Sequence, residues 1–127
     1  MPNTSSVDNI IVQLSRDYAI RCINLFKFLN KNKEYVMAKQ ILRCGTSIGA
    51  NISESVFAQS RSDFVSKLSI ALKEARENQY WLDLLHATEY IDDVSFKSMN
   101  DDCNKIIGTL VKIIKTTKNK FEKDDKS

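Results

Sequence analysis

Few residues in this chain are of the types that do chemistry, and their spacing argues against catalysis. His86 is the only histidine, and no Cys or Ser stands at a recognisable spacing from it to form a nucleophile and base. Glu74 and Glu77 lie one helical turn apart, where two carboxylates could face a metal. No second acid-rich helix carries the Glu-x-x-His that would complete a di-iron bundle. No phosphate-cradling glycine loop occurs, because Gly45 and Gly49 fall inside a helical pattern rather than after a strand. Cys22, Cys44 and Cys103 are odd in number and far apart, each on or beside an apolar stripe. That fits buried reduced thiols better than a disulfide framework or a zinc site. The residues therefore predict a non-enzyme with no catalytic residue, no metal and no cofactor.

The informative stretch is residues 43–82, where charged, amide and very small residues replace the apolar ones that two helical patterns call for. A buried Arg, Asn or Glu costs several kcal/mol unless it is paired, so the segment predicts either a polar network that fixes how helices meet or a ligand site. Spaced on a helix, Ala38, Gly45, Gly49 and Val56 line one flank of an apolar stripe, and Arg43, Ser47, Asn51 and Glu54 line the other. Two glycines inside a helix cost roughly 1 kcal/mol each relative to Ala; the usual return is close approach of a neighbouring helix. In the following helix Lys67, Glu74 and Asn78 fall on or near the buried arc, with Glu77 and Trp81 adjacent at i and i+4. If the two helices are antiparallel, residues equidistant from their turn lie side by side. Arg43 then approaches Glu77, and Asn51 or Ser47 approaches Glu74. The expectation is an Arg43–Glu74/Glu77–Asn51 network, buried or half-buried, that sets the register. A small-ligand receptor built on Arg43, Asn51, Glu77 and Trp81 is the competing reading.

The elements that must position these residues follow from periodicity. Ile11, Leu14, Tyr18, Cys22, Leu25 and Leu29 step by three and four and predict a helix over about 6–30, its face widened by Ile10, Ile23 and Phe26. Met37, Ile41, Cys44, Ile48 and Ile52 predict a second over 34–59. Ser60 is a helix N-cap with Asp63 favoured in the first turn, and Phe64, Leu68, Ala71, Ala75, Leu82 and Leu85 carry a third over 61–89. Asp92 or Asp93 caps a fourth over 93–121, marked by Phe96, Met99, Cys103, Ile106, Leu110 and Ile113; residues 122–127 form a charged tail. Four long helices, three short turns and no alternating pattern predict an all-α fold, an up-down-up-down antiparallel four-helix bundle. On the fourth helix Ile107, Val111 and Ile114 broaden the apolar face beyond one seam, and self-association is the natural way to cover it.

The whole chain sets the outer bounds. With 127 residues and 43% hydrophobic content it is a single domain, 1–127, and its only proline is Pro2, so long helices run unbroken. A formal charge of +3 falls short of the dense basic character of a nucleic-acid binder. The most basic stretch is residues 104–121, with Lys105, Lys112, Lys115, Lys118 and Lys120 and no acid. No apolar run has the length of a membrane span and no signal peptide is recognisable; a cytoplasmic setting is the default expectation.

The run R-C-G-T-S-I-G-A-N-I-S-E-S at 43–55, followed by S-x-x-D-F-V-S-K-L-S-I-A-L-K-E-A-R-E-N-Q-Y-W-L-D-L-L at 60–85, resembles the bacterial four-helix-bundle family named after proteins encoded in 23S rRNA intervening sequences. Arg43, Gly45, Ser47, Asn51 and Glu54 stand where that family's pattern has them, as do Asp63, Lys67, Glu74, Glu77 and Trp81. The resemblance implies a bundle in a bacterial cytoplasm, and the family's name says nothing of ribosome binding. One branch, the accessory protein of diversity-generating retroelements, forms a pentameric barrel that binds nucleic acid alongside a reverse transcriptase. A homo-oligomer, specifically a ring of five, is therefore what the resemblance suggests. Two functional expectations follow: an oligomeric scaffold that binds itself or another protein, and an accessory factor that contacts RNA or DNA through the five lysines.

Overall fold

The structure, a computed structural model, describes the backbone of residues 6–126 and the side chains of 9–120. It contains four α-helices: α1 Ser6–Lys31, α2 Val36–Ser55, α3 Arg61–Ala87 and α4 Asp93–Lys126. Each helix packs on its sequence neighbours and α4 returns to α1, so the four close an antiparallel up-down-up-down bundle. No strand occurs among the described residues.

One apolar stripe per helix builds the interior. Ile11, Leu29, Ile41, Ile48, Leu68, Leu82, Ile106 and Leu110 are all essentially inaccessible. The buried positions of each helix recur at three- and four-residue spacing, as in Phe64, Leu68, Ala71, Ala75 and Asn78 of α3, which keeps one face of each helix toward its neighbours. Burying a Leu or Ile side chain stabilises by about 1.5–3 kcal/mol, so these rows dominate the energetics. Of the residues that broaden the α4 face, Ile114 is buried and Ile107 half-buried, while Val111 stays exposed.

The turns explain where the helices stop. Ser60 caps α3, its hydroxyl accepting from the Asp63 N–H at 3.0 Å, and Asp63 in turn accepts from the Gln59 N–H at 3.3 Å. The Asp92 carboxylate accepts from the Ser95 N–H at 2.7 Å and opens α4; that bond holds the exposed carboxyl below its usual range. Glu34 accepts from the Met37 N–H at 2.7 Å, so α2 begins at Val36, two residues later than the periodicity predicts.

The C-terminal ends differ more. α2 stops at Ser55 rather than 59, because Phe57 N–H and Ala58 N–H bond three residues back, to Glu54 O and Ser55 O, and tighten the chain out of the α-helix. α1 and α3 both end in the double bond pattern of a left-handed cap. Glu34 N–H reaches Leu29 O and Lys33 N–H reaches Asn30 O, while Tyr90 N–H reaches Leu85 O and Glu89 N–H reaches His86 O. The residues at the left-handed position are Lys33, φ 62°, and Glu89, φ 67°, neither of them glycine. α4 runs on to Lys126 instead of ending near 121, so most of the stretch expected as a charged tail continues the helix. Ser127, the end of the expected charged tail, lies outside the described residues.

Candidate functional site

The α2–α3 seam gathers only part of the expected polar set. Arg43 Nη1 lies 3.2 Å from Glu74 Oε2, and Arg43 Nη2 pairs with Glu77. Gln40 Oε1 accepts from both Nε and Nη2 of Arg43 at 3.1 Å, and Trp81 Nε1 donates to Glu77 at 3.2 Å. The guanidinium is thus held by three side chains, and Glu77 by two donors. Arg43 nonetheless remains 48% exposed, so the cluster lines the rim of the seam and is not interred in it. Gln40, Glu74 and Glu77 take up four of the five guanidinium N–H groups of Arg43, and the arrangement is that of a structural ion cluster rather than an open ligand site.

Asn51, Ser47 and Glu54 do not join that cluster, which corrects the expected network. Asn51 Nδ2 donates to Ser47 O at 2.9 Å and Ser47 Oγ to Arg43 O at 2.7 Å. Both bond one turn back along their own helix, a local alternative open to short side chains. Glu54 lies further along the seam, 3.4 Å from Lys67 Nζ.

The glycines act on the other flank of α2. A β-carbon at Gly45 would fall 2.6 Å from Cys22 Cβ, and one at Gly49 would meet the Ser15 carbonyl oxygen at 3.4 Å. Close packing of α1 on α2 therefore depends on Gly45, where any side chain would force the helices apart.

The bundle's interior holds a polar layer that periodicity alone does not assemble. Tyr18 and Cys22 from α1, Cys44 from α2, Asn78 from α3 and Cys103 from α4 are all buried. Tyr18 donates its hydroxyl hydrogen to Asn78 Oδ1. Asn78 Nδ2 donates to Cys44 Sγ at 3.3 Å and reaches Cys22 Sγ at 3.7 Å. The Cys44 thiol donates to Gln40 O at 2.8 Å and Cys103 to Ala75 O at 3.4 Å. Among the described residues no buried side-chain nitrogen or oxygen lacks a partner. Burial pushes the Cys22 and Cys103 thiols up to about 12 and raises Cys44 and Tyr18 as well. Protonated, enclosed thiols are poor nucleophiles, and no grouping of His, Cys, Asp or Glu among the described residues is set to hold a metal. The signal available in the sequence was Asn78, a polar residue on a buried arc; its partners emerge only when all four helices are set at matching heights.

Lys105, Lys112, Lys115, Lys118 and Lys120 are all exposed. At about 100° per residue Lys105 and Lys112 fall on the α1 flank of α4, Lys118 on the α3 flank and Lys115 between them. They spread around the outside of the helix and do not converge. A groove of about 540 Å³ opens beside α1 at the far end, its floor formed by Leu25, Phe28, Ile91 and Met99. Arg21 on its wall pairs with Asp102 at 2.7 Å. No helix among the described residues is long and apolar enough to cross a membrane.

Known proteins match this arrangement. The family model for the 23S rRNA-intervening sequence protein covers residues 7–112. A crystal structure from Bacteroides thetaiotaomicron, of a protein with unknown function from the S23 ribosomal protein family, superimposes with a TM-score of 0.84 at 55% sequence identity. The match spans 86% of this chain and 98% of that one. None of the curated proteins compared matches.

Proposed function

The chain belongs to the 23S rRNA-intervening sequence protein family, and from that premise we propose that it acts without catalysis, as a self-associating bundle that serves as a bacterial cytoplasmic scaffold. The observation that carries this reading is the apolar surface left outside a complete core. Val111 on α4 is 40% exposed and Ile70 on α3 41%, although each helix already buries a full stripe. Exposed apolar side chains on long, rigid helices are stabilised by association with another copy. The enclosed thiols and the internally satisfied Arg43 cluster supply no reactive group, which supports the absence of catalysis. A ring of five, as the family resemblance suggests, is one closed form such an assembly takes. Light scattering of the native particle tests the reading: a mass several times 14.5 kDa is expected, and a monomer at micromolar concentration overturns it.

A second reading, contact with RNA or DNA, is favoured by the five exposed lysines, which make no ion pair among the described residues. Because they do not share one face in a single copy, this reading needs an assembly to line them up. Filter binding of structured RNA and duplex DNA at two salt concentrations decides it. Affinity that falls steeply with salt supports it, and no binding at low salt removes it.

A further inference from the structure

The groove beside α1 is a cavity that the bundle's own packing leaves open. Its lining residues on α1 run from Arg21 to Phe28, about 10 Å of helix, and the α3–α4 turn with Ser95 and Met99 forms the other side. The volume of about 540 Å³ falls in the range of small-molecule sites, roughly 300–1,000 Å³. Ile91 and Met99 are 7% and 5% exposed and belong to the core, so the bottom of the groove is fixed. Phe28 and Tyr90 are 49% and 38% exposed and offer two aromatic rings to whatever enters.

The turn that walls the groove is held from both sides. Tyr90 N–H and Ile91 N–H both reach Leu85 O, at 2.9 and 3.4 Å. His86 stacks on Phe96 with 4.2 Å between ring centres and pairs with Asp93 at 2.6 Å. A wall fixed in this way needs little ordering when a ligand arrives, which removes one of the main costs of binding. Charge then decides what the groove takes. Among its described lining residues Arg21 is the only cation, and Asp102 already neutralises it at 2.7 Å. Glu89 and Asp92 stand on the turn opposite. The Glu89 carboxylate makes no ion pair or hydrogen bond among the described residues. Asp92 accepts only the Ser95 N–H, one of about four acceptor positions that a carboxylate offers. The groove thus joins an apolar, aromatic body to uncompensated negative charge.

We propose that this groove binds a small organic cation, an alkylamine carrying an aromatic ring, with the ring against Phe28 and Tyr90 and the ammonium at Glu89 and Asp92. A ring seated over Ile91 and Met99 removes apolar surface from water. The protonated amine gains carboxylate partners and an aromatic face together. An anion would meet two like charges, and a cation without an apolar body would leave the bottom of the groove wet. The site lies within one copy of the chain, apart from the Arg43 cluster, and does not depend on self-association.

Three indoles that differ chiefly in charge test the proposal on the full chain: tryptamine with an ammonium, tryptophol with no charge, and indole-3-acetate with a carboxylate. Titration followed by amide magnetic resonance reports affinity and place together, and binding is expected to move the Asn24, Ile91 and Ser95 signals. Tryptamine is expected to bind about threefold or more tighter than tryptophol, and indole-3-acetate most weakly. Glu89→Gln should reduce tryptamine affinity about threefold and leave tryptophol unchanged, whereas Phe28→Ala should weaken all three. Circular-dichroism melting confirms that each variant still forms the bundle. The assignment is overturned by the absence of shifts at millimolar tryptamine, or by shifts confined to residues outside the groove. Indole-3-acetate binding as tightly as tryptamine, or a tryptamine affinity that Glu89→Gln leaves unchanged, overturns it equally.

Discussion

The Tyr18 hydroxyl donates to the Asn78 side-chain oxygen across the interior of the bundle, joining α1 to α3, two helices that share no direct seam. Asn78 also holds Cys44 and Cys22 through its amide nitrogen, so one side chain touches residues of two other helices. A buried amide without partners would cost about 1–3 kcal/mol. Satisfied, it favours the one helix register in which its partners stand at the right heights. Asn78→Leu strands the Tyr18 hydroxyl and is expected to cost roughly 2–4 kcal/mol, and Tyr18→Phe about 1–3 kcal/mol. The double variant should cost less than the sum, with a coupling of about 0.5–3 kcal/mol. Urea unfolding of the four proteins measures it, and strict additivity would show that the contact contributes nothing of its own.

The three glycines separate close packing from helix propensity. Ala is the better helix former by roughly 1 kcal/mol, so Gly108→Ala should raise stability by about that amount in the single chain. Gly49→Ala meets the Ser15 carbonyl at ordinary contact distance and is expected to fall within about 1 kcal/mol of neutral. At Gly45 the added carbon would overlap Cys22, and Gly45→Ala should destabilise by about 1–3 kcal/mol despite its propensity. Thermal melts of the three variants should rank Gly108→Ala above Gly49→Ala above Gly45→Ala.

The thiols make stability sensitive to alkali. Cys22 and Cys103 keep their protons to about 12 in the folded chain, against an ordinary value of 9.0, chiefly because burial disfavours the thiolate. Their folded values are raised, so above pH 9 the unfolded chain binds fewer protons than the folded one. The contribution is complete below about pH 9 and is lost as pH climbs toward 12. The expected slope is about 1.4 kcal/mol per pH unit for each thiol. Replacing both cysteines with alanine should flatten the alkaline limb of the urea midpoint while lowering stability at pH 7, and an unchanged limb would contradict the assignment.

The rim cluster and its neighbour on α2 are expected to behave differently. Glu77 receives both Arg43 and Trp81, so Glu77→Lys loses two donors and sets two cations together. The site is partly exposed, which limits the cost to about 1–2 kcal/mol. Asn51 bonds only the Ser47 carbonyl of its own helix, and Asn51→Ala should change the stability of the single chain by less than about 0.5 kcal/mol. Equal losses in thermal melts would place Asn51 in the network after all.

The sequence makes the fold legible because each helix repeats one apolar stripe, and the same stripes place Arg43 near Glu74 and Glu77 once α2 and α3 are set antiparallel. What it conceals are choices between local and long-range partners. Asn51 and Ser47 had a backbone carbonyl one turn away that no pattern of residue types distinguishes from a carboxylate on α3. The Tyr18–Asn78–cysteine layer needs residues from all four helices at one height, a relation that periodicity within each helix cannot express. Helix ends were blurred for a related reason: Ser60 and Asp92 carry recognisable caps, whereas the left-handed positions at Lys33 and Glu89 lack the glycine that marks such a stop.

Those two positions carry the last prediction. Lys33 and Glu89 adopt φ values of 62° and 67°, where a β-carbon is crowded by the neighbouring carbonyl and the conformation costs about 1–2 kcal/mol. Glycine removes that clash but gains freedom in the unfolded chain, which returns roughly 0.4–1 kcal/mol. Neither backbone N–H bond of the cap depends on the side chain, since both are made by main-chain atoms. Lys33→Gly and Glu89→Gly should therefore each stabilise the chain by about 0.5–1 kcal/mol, and the double variant by close to the sum, because the two turns have no residue in common. Thermal unfolding followed by circular dichroism would register the gain as a higher midpoint. A fall in the midpoint for both variants would mean that the strain at these turns is already relieved by contacts of the Lys33 and Glu89 side chains.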